Sequence, residues 1–379
     1  MAEVGPSMER SASSASSTPS GGNAVESRTE TGERVAVLRS LEGVCRREGD
    51  GALEARLADL RAFMADDMSL VERALADLDL RETPLHKSAL HLLDRAGKRL
   101  RPMCVALAAR IGDGFGPVAQ EYAVAVELVH NATLLHDDVV DLGDVRRGSP
   151  TSRTLYGNAA SIFAGDYLLV EALLRVRKSG DGVALDRALA VLGEMLEAES
   201  LQLARRGRVD GTVHDYLRVA RGKTASLFRW AMFAGGRAGN LPVAACSALE
   251  RYGEDLGVAF QVVDDVLDAS GDEKVTGKTV LSDLREGKAT YPLLLAMDRD
   301  ADVRAAVKEA GQGSGADLDP EVAGRVARGL HATGAIEDAR AYARMLAHRA
   351  AAALGEIGRD GPAVRALAGI AVALPERTK

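Results

Sequence analysis

The hydrophobic positions from residue 34 onward recur at the spacing of α-helices. An apolar residue stands at every third or fourth position in LEARLADLRAFM, AVAVELVHNATLL, RALAVLGEMLEAESLQL and ALERYGEDLGVAFQVV, and Gly or Pro marks the breaks between such segments. The pattern predicts roughly a dozen helices. Alternating β-branched and aromatic runs, which would indicate strands, are nearly absent. The sequence therefore predicts an all-α fold, a large single-domain helix bundle over residues 34–379.

Residues 1–33 have a different composition. The stretch SASSASSTPSGGN is typical of this part of the chain, which is rich in Ser, Gly and Thr and has almost no large apolar side chains. Such a segment cannot bury enough apolar surface to offset the conformational entropy lost on ordering. We expect a disordered tail.

Composition and charge restrict the function. The net charge of -7 argues against general nucleic-acid binding, which requires a large basic face. No apolar run reaches the ~18 residues of a membrane-spanning helix, and the N-terminus lacks the hydrophobic core of a signal peptide. Cys45, Cys104 and Cys246 lie far apart and lack the spacing of a zinc or redox pair, so we expect reduced, buried thiols in a cytoplasmic protein.

Two clusters of aspartates have identical internal spacing. One follows the apolar run in TLLHDDVVDLGDVRRG, and we expect Gly143 to end its helix. The other follows the run in FQVVDDVLDASGD and stands before another glycine, Gly271. One such cluster could be solvated surface, but two copies embedded among Leu and Val indicate a site. Carboxylates that converge from facing helices suit Mg²⁺, which also takes water and phosphate oxygens as ligands. The clusters comprise Asp137, Asp138 and Asp141, and Asp264, Asp265 and Asp268.

Basic residues accompany these clusters. Arg146 and Arg147 follow the first cluster directly, and the segment GKRLRP places three cations before a predicted helix. A diphosphate bound to metal still presents oxygens that need charged donors. GKRLRP alone could be a solvated turn, but beside two acidic clusters an anion site is the better interpretation. The further candidates are Lys98, Arg99, Arg101, Lys223, Lys278, Lys288 and His130, which shares a helical stripe with Asp137 and Asp141.

The stretch GDEKVTGKT is similar to the phosphate-binding loop of nucleoside triphosphatases. That motif requires glycine at position 272, where this chain has Asp272, and Gly271 is one residue too far away. A helix rather than a strand is predicted before it. We therefore reject the nucleoside triphosphatase interpretation.

Taken together, these motifs resemble those of the trans-isoprenyl diphosphate synthases, the polyprenyl synthetase family. GKRLRP, LLHDDVVD with RRG, GKT, FQVVDDVLD and DLREGKATYP follow one another in the family's order and extend over roughly residues 90–292. The resemblance implies an isoprenoid synthase bundle with a central active-site cavity, which condenses isopentenyl diphosphate with an allylic prenyl diphosphate. It also implies a homodimer with one active site per chain.

The resemblance further implies residue roles. The six aspartates would hold roughly three Mg²⁺ on the allylic diphosphate, with Asp137, Asp138, Lys223, Asp264 and Asp265 as the catalytic group. Arg146, Lys223, Lys278 and Gln261 would serve the allylic substrate. Lys98, Arg101, His130 and Arg147 would bind isopentenyl diphosphate. The resemblance also implies that Lys288 supplies a charge to phosphate, although the loop around this lysine varies in the family.

Product length in this family depends on the cavity that receives the growing chain. The gate positions one turn before Asp137 are Ala132 and Thr133, which are small where short-chain enzymes often carry aromatics. This favours a long-chain product, hexaprenyl to decaprenyl, with the floor formed deeper by Met195 or Leu196. A small Ala132 could instead merely allow close helix packing. Release of so apolar a product is expected to need a membrane surface or detergent.

Four other interpretations are open. A short-chain geranylgeranyl diphosphate synthase would share every motif and differ in product length. A class I terpene cyclase could share the fold and the first aspartate cluster but would not need GKRLRP. A non-catalytic partner subunit would tolerate loss of the aspartates, all of which are present. A metal-storage bundle would account for the carboxylates but not for the cations that would repel a metal.

Overall fold

The computed structural model describes residues 51–94, 99–146, 148–208, 211–270, 281–312 and 318–377, with the side chains of 51–58 and 311–312 excepted. The predicted tail over residues 1–33 lies outside the described residues. The α-helices are α1 (Gly51–Ala76), α2 (Pro84–Leu93), α3 (Leu100–Ile111), α4 (Pro117–Val140), α5 (Ser152–Tyr156), α6 (Asn158–Lys178), α7 (Gly182–Ala204), α8 (Val213–Val219), α9 (Ser226–Ala238), α10 (Val243–Ser270), α11 (Ser282–Arg285), α12 (Tyr291–Arg299), α13 (Ala301–Gln312), α14 (Pro320–Ala332), α15 (Ala335–Gly355) and α16 (Pro362–Ala373). A π-helical turn spans Ala220–Ala225, and a 3-10 turn spans Leu374–Glu376.

The prediction of an all-α bundle is confirmed. Two-residue strands β1 (Val145–Arg146) and β2 (Ser149–Pro150) form the single sheet within the described ranges, an antiparallel pair in which Arg146 lies opposite Ser149. This hairpin follows α4 and places Arg146 beside the end of that helix.

Small residues allow the central helices to approach closely. A Cβ atom on Gly235 of α9 would lie 2.3 Å from the Val105 carbonyl oxygen of α3, and one on Gly257 of α10 would lie 2.5 Å from Cα of Ala225. Side chains at these glycines would therefore push the helices apart. The contact at Gly257 holds the π-helical turn against α10, so it fixes the backbone that carries Lys223.

Helix α4 ends three residues before Gly143. Asp141 is its C-cap, Leu142 takes the left-handed conformation with φ 55°, and the Gly143 N–H donates to the Asp138 carbonyl at 3.0 Å. This is the bonding pattern of a Schellman-type cap, which usually has glycine at the left-handed position. The expected end at Gly143 was thus slightly late, because Leu142 takes the conformation that glycine normally supplies.

Arg99 stabilises the entrance to α3. Its guanidinium donates to Glu72 Oε1 at 2.8 Å, to Glu127 Oε1 at 2.6 Å and to the Leu93 carbonyl at 3.2 Å. The Arg99 and Glu127 side chains are each 4% exposed. Two carboxylates therefore neutralise this arginine inside the fold, and the expectation that Arg99 serves a bound anion is wrong.

Replacement of Arg99 by Met should lower the free energy of unfolding by about 3–5 kcal/mol, because Glu127 would be left buried without its counter-ion. Urea unfolding followed by circular dichroism measures the loss. Arg325 provides the control, since it pairs with Asp302 and Glu309 on the surface. Arg325→Met should cost about 1 kcal/mol or less, and equal losses for the two variants would contradict the assignment.

Candidate active site

The first aspartate cluster lies at the C-terminal end of α4, and each carboxylate contacts a cation. Asp137 Oδ2 is 3.4 Å from Lys223 Nζ, and Asp138 Oδ1 accepts a hydrogen bond of 2.8 Å from Arg146 Nε. Because unpaired helix carbonyls also concentrate negative charge at a C-terminus, the cluster needs such compensation. The sequence prediction that these acids and Arg146 belong together agrees with this geometry.

Asp141 is held by two cations. Its Oδ2 lies 3.0 Å from Lys288 Nζ, and its Oδ1 pairs with Arg206, which also donates to the Val140 carbonyl at 3.0 Å. Burial alone would raise the pKa of Asp141, but Lys288 and other nearby cations shift it below its usual value. Arg206 was not recognised in the sequence, where it lies in the basic stretch LARRGR after α7.

The second cluster lies in the last turns of α10. Asp264 Oδ1 is 3.2 Å from an Arg377 guanidinium nitrogen. Asp265 is buried and accepts hydrogen bonds from Gln261 Nε2 at 2.9 Å and from the Tyr291 N–H at 3.3 Å. Burial raises the pKa of Asp265 to about 7, although the hydrogen bonds to the carboxylate lower it.

Asp268 holds the segment that follows α10 along the chain. Its carboxylate accepts hydrogen bonds from the N–H groups of Ser282 and Asp283, each at 3.1 Å, and from the Ser282 hydroxyl. This anchors the start of α11, and the chain continues from that helix to Lys288. The aspartate therefore also has a structural role that its spacing did not indicate.

A cavity of about 170 Å³ lies next to the two clusters, and Asp265 is the one of the six aspartates in its lining. Lys223 and Lys288 line it and also contact the first cluster, while Asp265 brings the second cluster to its wall. The polar residues that argue for a charged ligand here are Lys223, Thr224, Gln261, Asp265, Asp283 and Lys288.

Lys223 is positioned by an irregular backbone. It lies in the π-helical turn, and its ammonium group is 2.6 Å from Glu199 Oε2 and 3.0 Å from Gln202 Oε1. The next residue, Thr224, donates to Gln261 Oε1 at 2.8 Å. Such π-turns inside helices frequently occur at functional sites. The helical periodicity of the sequence gave no signal for it.

Two arginines flank a pair of phenylalanine rings, Arg101, which is partly buried, and Arg377, which is buried. Arg101 lies 4.6 Å from the Phe228 ring centroid, Arg377 lies 5.1 Å from that of Phe260, and the two rings are 5.7 Å apart. Desolvation lowers the pKa of Arg101, and Glu127, Cys104 and Asp264 partly oppose this effect. The two rings thus connect Arg101 to Arg377, the partner of Asp264, and no motif in the sequence indicated Arg377.

The remaining predicted residues fall into two groups. Lys98, Arg147 and Lys278 lie outside the described residues. His130 lies partly buried on α4, and its carbonyl accepts a hydrogen bond of 2.8 Å from the Thr133 hydroxyl. Ala132 is buried and Thr133 is partly buried.

The donor set fits a hard divalent cation. Within the described ranges, no three His, Cys, Asp or Glu side chains converge closely enough to hold a metal ion by themselves. Mg²⁺ does not require such a cage, since it binds through one or two carboxylates and completes its shell with water and phosphate oxygens. Asp137, Asp141 and Asp264 supply oxygen donors of this kind, and Asp137 and Asp141 contact the lysines that line the cavity.

Comparison with known proteins identifies the chain's relatives. Residues 82–320 match the sequence model of the family described as polyprenyl synthetase. The octaprenyl diphosphate synthase of Escherichia coli (strain K12) is 35% identical over 322 residues, which cover 83% of this chain and 97% of that protein. Heptaprenyl diphosphate synthase component 2 of Geobacillus stearothermophilus is 37% identical over 257 residues, 68% of this chain and 80% of that protein.

A solved structure agrees with these matches. The crystal structure of a decaprenyl diphosphate synthase from Rhodobacter capsulatus superposes with a TM-score of 0.78 at 34% identity, and the match covers 85% of this chain and 99% of that one. The match to the family's sequence model extends over more than half of the chain and includes both aspartate clusters. The chain therefore belongs to the polyprenyl synthetase family and is a prenyltransferase of the trans-prenyl diphosphate synthase type.

Proposed function

We propose that this protein is a Mg²⁺-dependent synthase that joins isopentenyl diphosphate to an allylic prenyl diphosphate, 1'-4 and in trans, to give hexaprenyl to decaprenyl diphosphate. The observation that carries the proposal is the cavity next to the two aspartate clusters, which is lined by Asp265 of the second cluster and by Lys223 and Lys288, the partners of the first. The long-chain products named for the three relatives described above support the product class.

The metal-binding residues of the proposal are the six aspartates. Asp137, Asp141 and Asp264 are the direct ligands, because their described side-chain partners are cationic and they are more exposed than Asp138, which pairs with Arg146. Asp265 and Asp268 also accept hydrogen bonds from backbone N–H groups, so they orient the site as well. When bound, roughly three Mg²⁺ would neutralise charge on the allylic diphosphate as it leaves.

The other residues divide between two diphosphates. Arg146, Lys223, Lys278 and Gln261 serve the allylic substrate, and they offer cationic or amide donors to its oxygens. Lys98, Arg101, His130 and Arg147 bind isopentenyl diphosphate. Two groups of donors are needed because each substrate carries its own diphosphate.

The reaction needs no side-chain nucleophile. The allylic carbon–oxygen bond breaks, and its electron pair leaves with the diphosphate, whose charge Lys223 and its neighbours stabilise. The double bond of isopentenyl diphosphate then attacks the allylic carbocation to form the new carbon–carbon bond. Loss of a proton to the released diphosphate restores an alkene, so the product is again an allylic diphosphate that can be extended.

Ala132 and Thr133 are the first gate in this proposal. They lie about one turn before Asp137 in α4, and their small side chains leave room for the prenyl chain to grow past this turn. Leu196 is 73% exposed, so it does not form the floor of a cavity within one chain. Met195 is buried on the same helix, α7, so it is the one of the two that a chain inside the protein could contact.

Purified protein with Mg²⁺, labelled isopentenyl diphosphate, farnesyl diphosphate and detergent should give a ladder of prenyl products that ends between hexaprenyl and decaprenyl. Asp137→Ala and Asp264→Ala should each slow incorporation at least about 100-fold. Ala132→Phe should shorten the ladder, whereas Ala132→Ser, which preserves the size of the residue, should not. An unchanged ladder with Ala132→Phe would contradict the gate, and no incorporation by the folded wild-type protein would contradict the function.

The homodimer in our proposal forms through α6 and α7. Phe163 and Val170 on α6 are 58% and 55% exposed, and Leu189, Leu196 and Leu203 on α7 are at least half exposed and seven residues apart. A patch of exposed apolar side chains on neighbouring helices is typical of an interaction surface. A second copy of the chain would bury these side chains and leave each active site intact.

Leu196→Glu should shift the protein from dimer to monomer in sedimentation equilibrium, because it would bury a charge in the proposed interface. Val372→Glu provides the matched control, since Val372 is 49% exposed on α16. That variant should stay dimeric. A monomeric wild-type protein, or dimers of equal stability in all three proteins, would contradict this interface.

We propose the cytoplasm as the site of action. Cys104 and Cys246 are buried free thiols, which suits a reducing compartment. Over the ranges that the structure describes, no helix has the length and hydrophobicity to cross a bilayer.

A further inference from the structure

A second cavity lies deep between four helices and is apolar throughout. Val129 of α4, Leu173 of α6, Leu192 of α7 and Leu227 of α9 contribute to its wall, together with Trp230 of α9. Every residue of its lining is Ala, Val, Leu or Trp, so it has no chemistry for a charged ligand. Only a hydrocarbon suits such a lining.

This apolar cavity is aligned with the diphosphate site along α4. Asp137, Thr133, Val129 and Ala125 follow one another at intervals of four residues, so each lies about one turn from the next and is rotated by about 40° around the helix axis. Asp137 lies at the C-terminal end of this row, and Val129 and Ala125 line the cavity toward the N-terminal end of α4. At 1.5 Å per residue, Ala125 lies about 18 Å below Asp137.

Trp230 is held rigidly in the wall of the apolar cavity. Its indole N–H donates to the Ala184 carbonyl of α7 at 3.1 Å, and its ring meets the Tyr122 ring edge-on, with centroids 5.8 Å apart. The Tyr122 hydroxyl bonds to Ser179 Oγ at 2.7 Å. Trp230 is 3% exposed and Tyr122 is fully buried. Both rings are thus fixed by packing and by a polar anchor.

Little space is left beside the indole. The cavity volume is about 10 Å³, which is at the lower limit for a single water molecule. A hydrocarbon chain that advances along α4 would therefore stop at the indole unless the ring were removed. Met195, one turn from the cavity residue Val191 on α7, lies between this floor and the charged site.

We propose that Trp230 is the floor that determines product length, with Tyr122 behind it as a positioning residue. The inference rests on the proposed function, since a floor has meaning only if a prenyl chain grows in this direction. Ala132 and Thr133 decide whether a chain passes the first turn below Asp137, and Trp230 decides where it ends. If the cavity were merely a packing defect, truncation of Trp230 would lower stability without changing the product.

The test compares product ladders at equal conversion. Trp230→Ala should move the end of the ladder to products longer by at least one isoprene unit, with labelled isopentenyl diphosphate still incorporated. Met232→Ala is the matched control, because Met232 is fully buried on the same helix and does not line the cavity. It should lower the Tm and leave the ladder end unchanged.

Val129→Phe is a second test of the floor, because Val129 lines the same cavity from α4. Its result does not depend on whether the Trp230 variant folds. It should fill the cavity and shorten the ladder, while the first condensations continue. Incorporation with an unchanged ladder end in Val129→Phe, or in folded Trp230→Ala, would overturn the inference and leave the proposed function intact. No incorporation by the wild-type protein would overturn both.

Discussion

Mutual repulsion among six aspartates at the C-terminal ends of two helices is the constraint on which the site depends. The helix dipoles of α4 and α10 add negative potential at the same places. The chain compensates with cations from distant segments, namely Lys223 from the π-helical turn, Lys288 from the segment after α11 and Arg377 from the C-terminal end. Charge balance thus connects parts of the chain that are far apart in sequence.

In the proposed function, the same arrangement would serve a metal-bound diphosphate. Asp137 and Asp264 contact Lys223 and Arg377, and these cations would be available to phosphate oxygens if Mg²⁺ bound the carboxylates. Asp265 and Asp268 keep their backbone hydrogen bonds and so hold Tyr291 and the start of α11 in place. Asp137 and Asp264 would thus bind the metal, whereas Asp265 and Asp268 position the neighbouring backbone.

Much of this could be predicted from local sequence. The 3.6-residue periodicity predicts the helix bundle, and the repeated aspartate spacing predicts two acidic sites, because both features depend on residues close together in the chain. Arg99, Arg206 and Arg377 could not be assigned in this way, since their partners Glu127, Asp141 and Asp264 are distant in sequence. A charged residue becomes structural or functional only through such contacts.

The helical periodicity of apolar residues also does not predict irregularities of the backbone. The π-helical turn widens the backbone that carries Lys223, and Leu142 adopts a conformation that its side chain disfavours. The floor at Trp230 depends on how four helices pack, which no single segment encodes.

Thermal unfolding with Mg²⁺ and inorganic diphosphate, added separately and together, tests whether the aspartates bind metal and diphosphate jointly. The two together should raise the Tm by more than the sum of their separate effects. This gain should be lost when Asp137 and Asp264 are both changed to Asn but kept when the exposed Asp302 is changed to Asn. A diphosphate effect that is independent of Mg²⁺ and unaffected by the double substitution would show that the aspartates do not bind the metal.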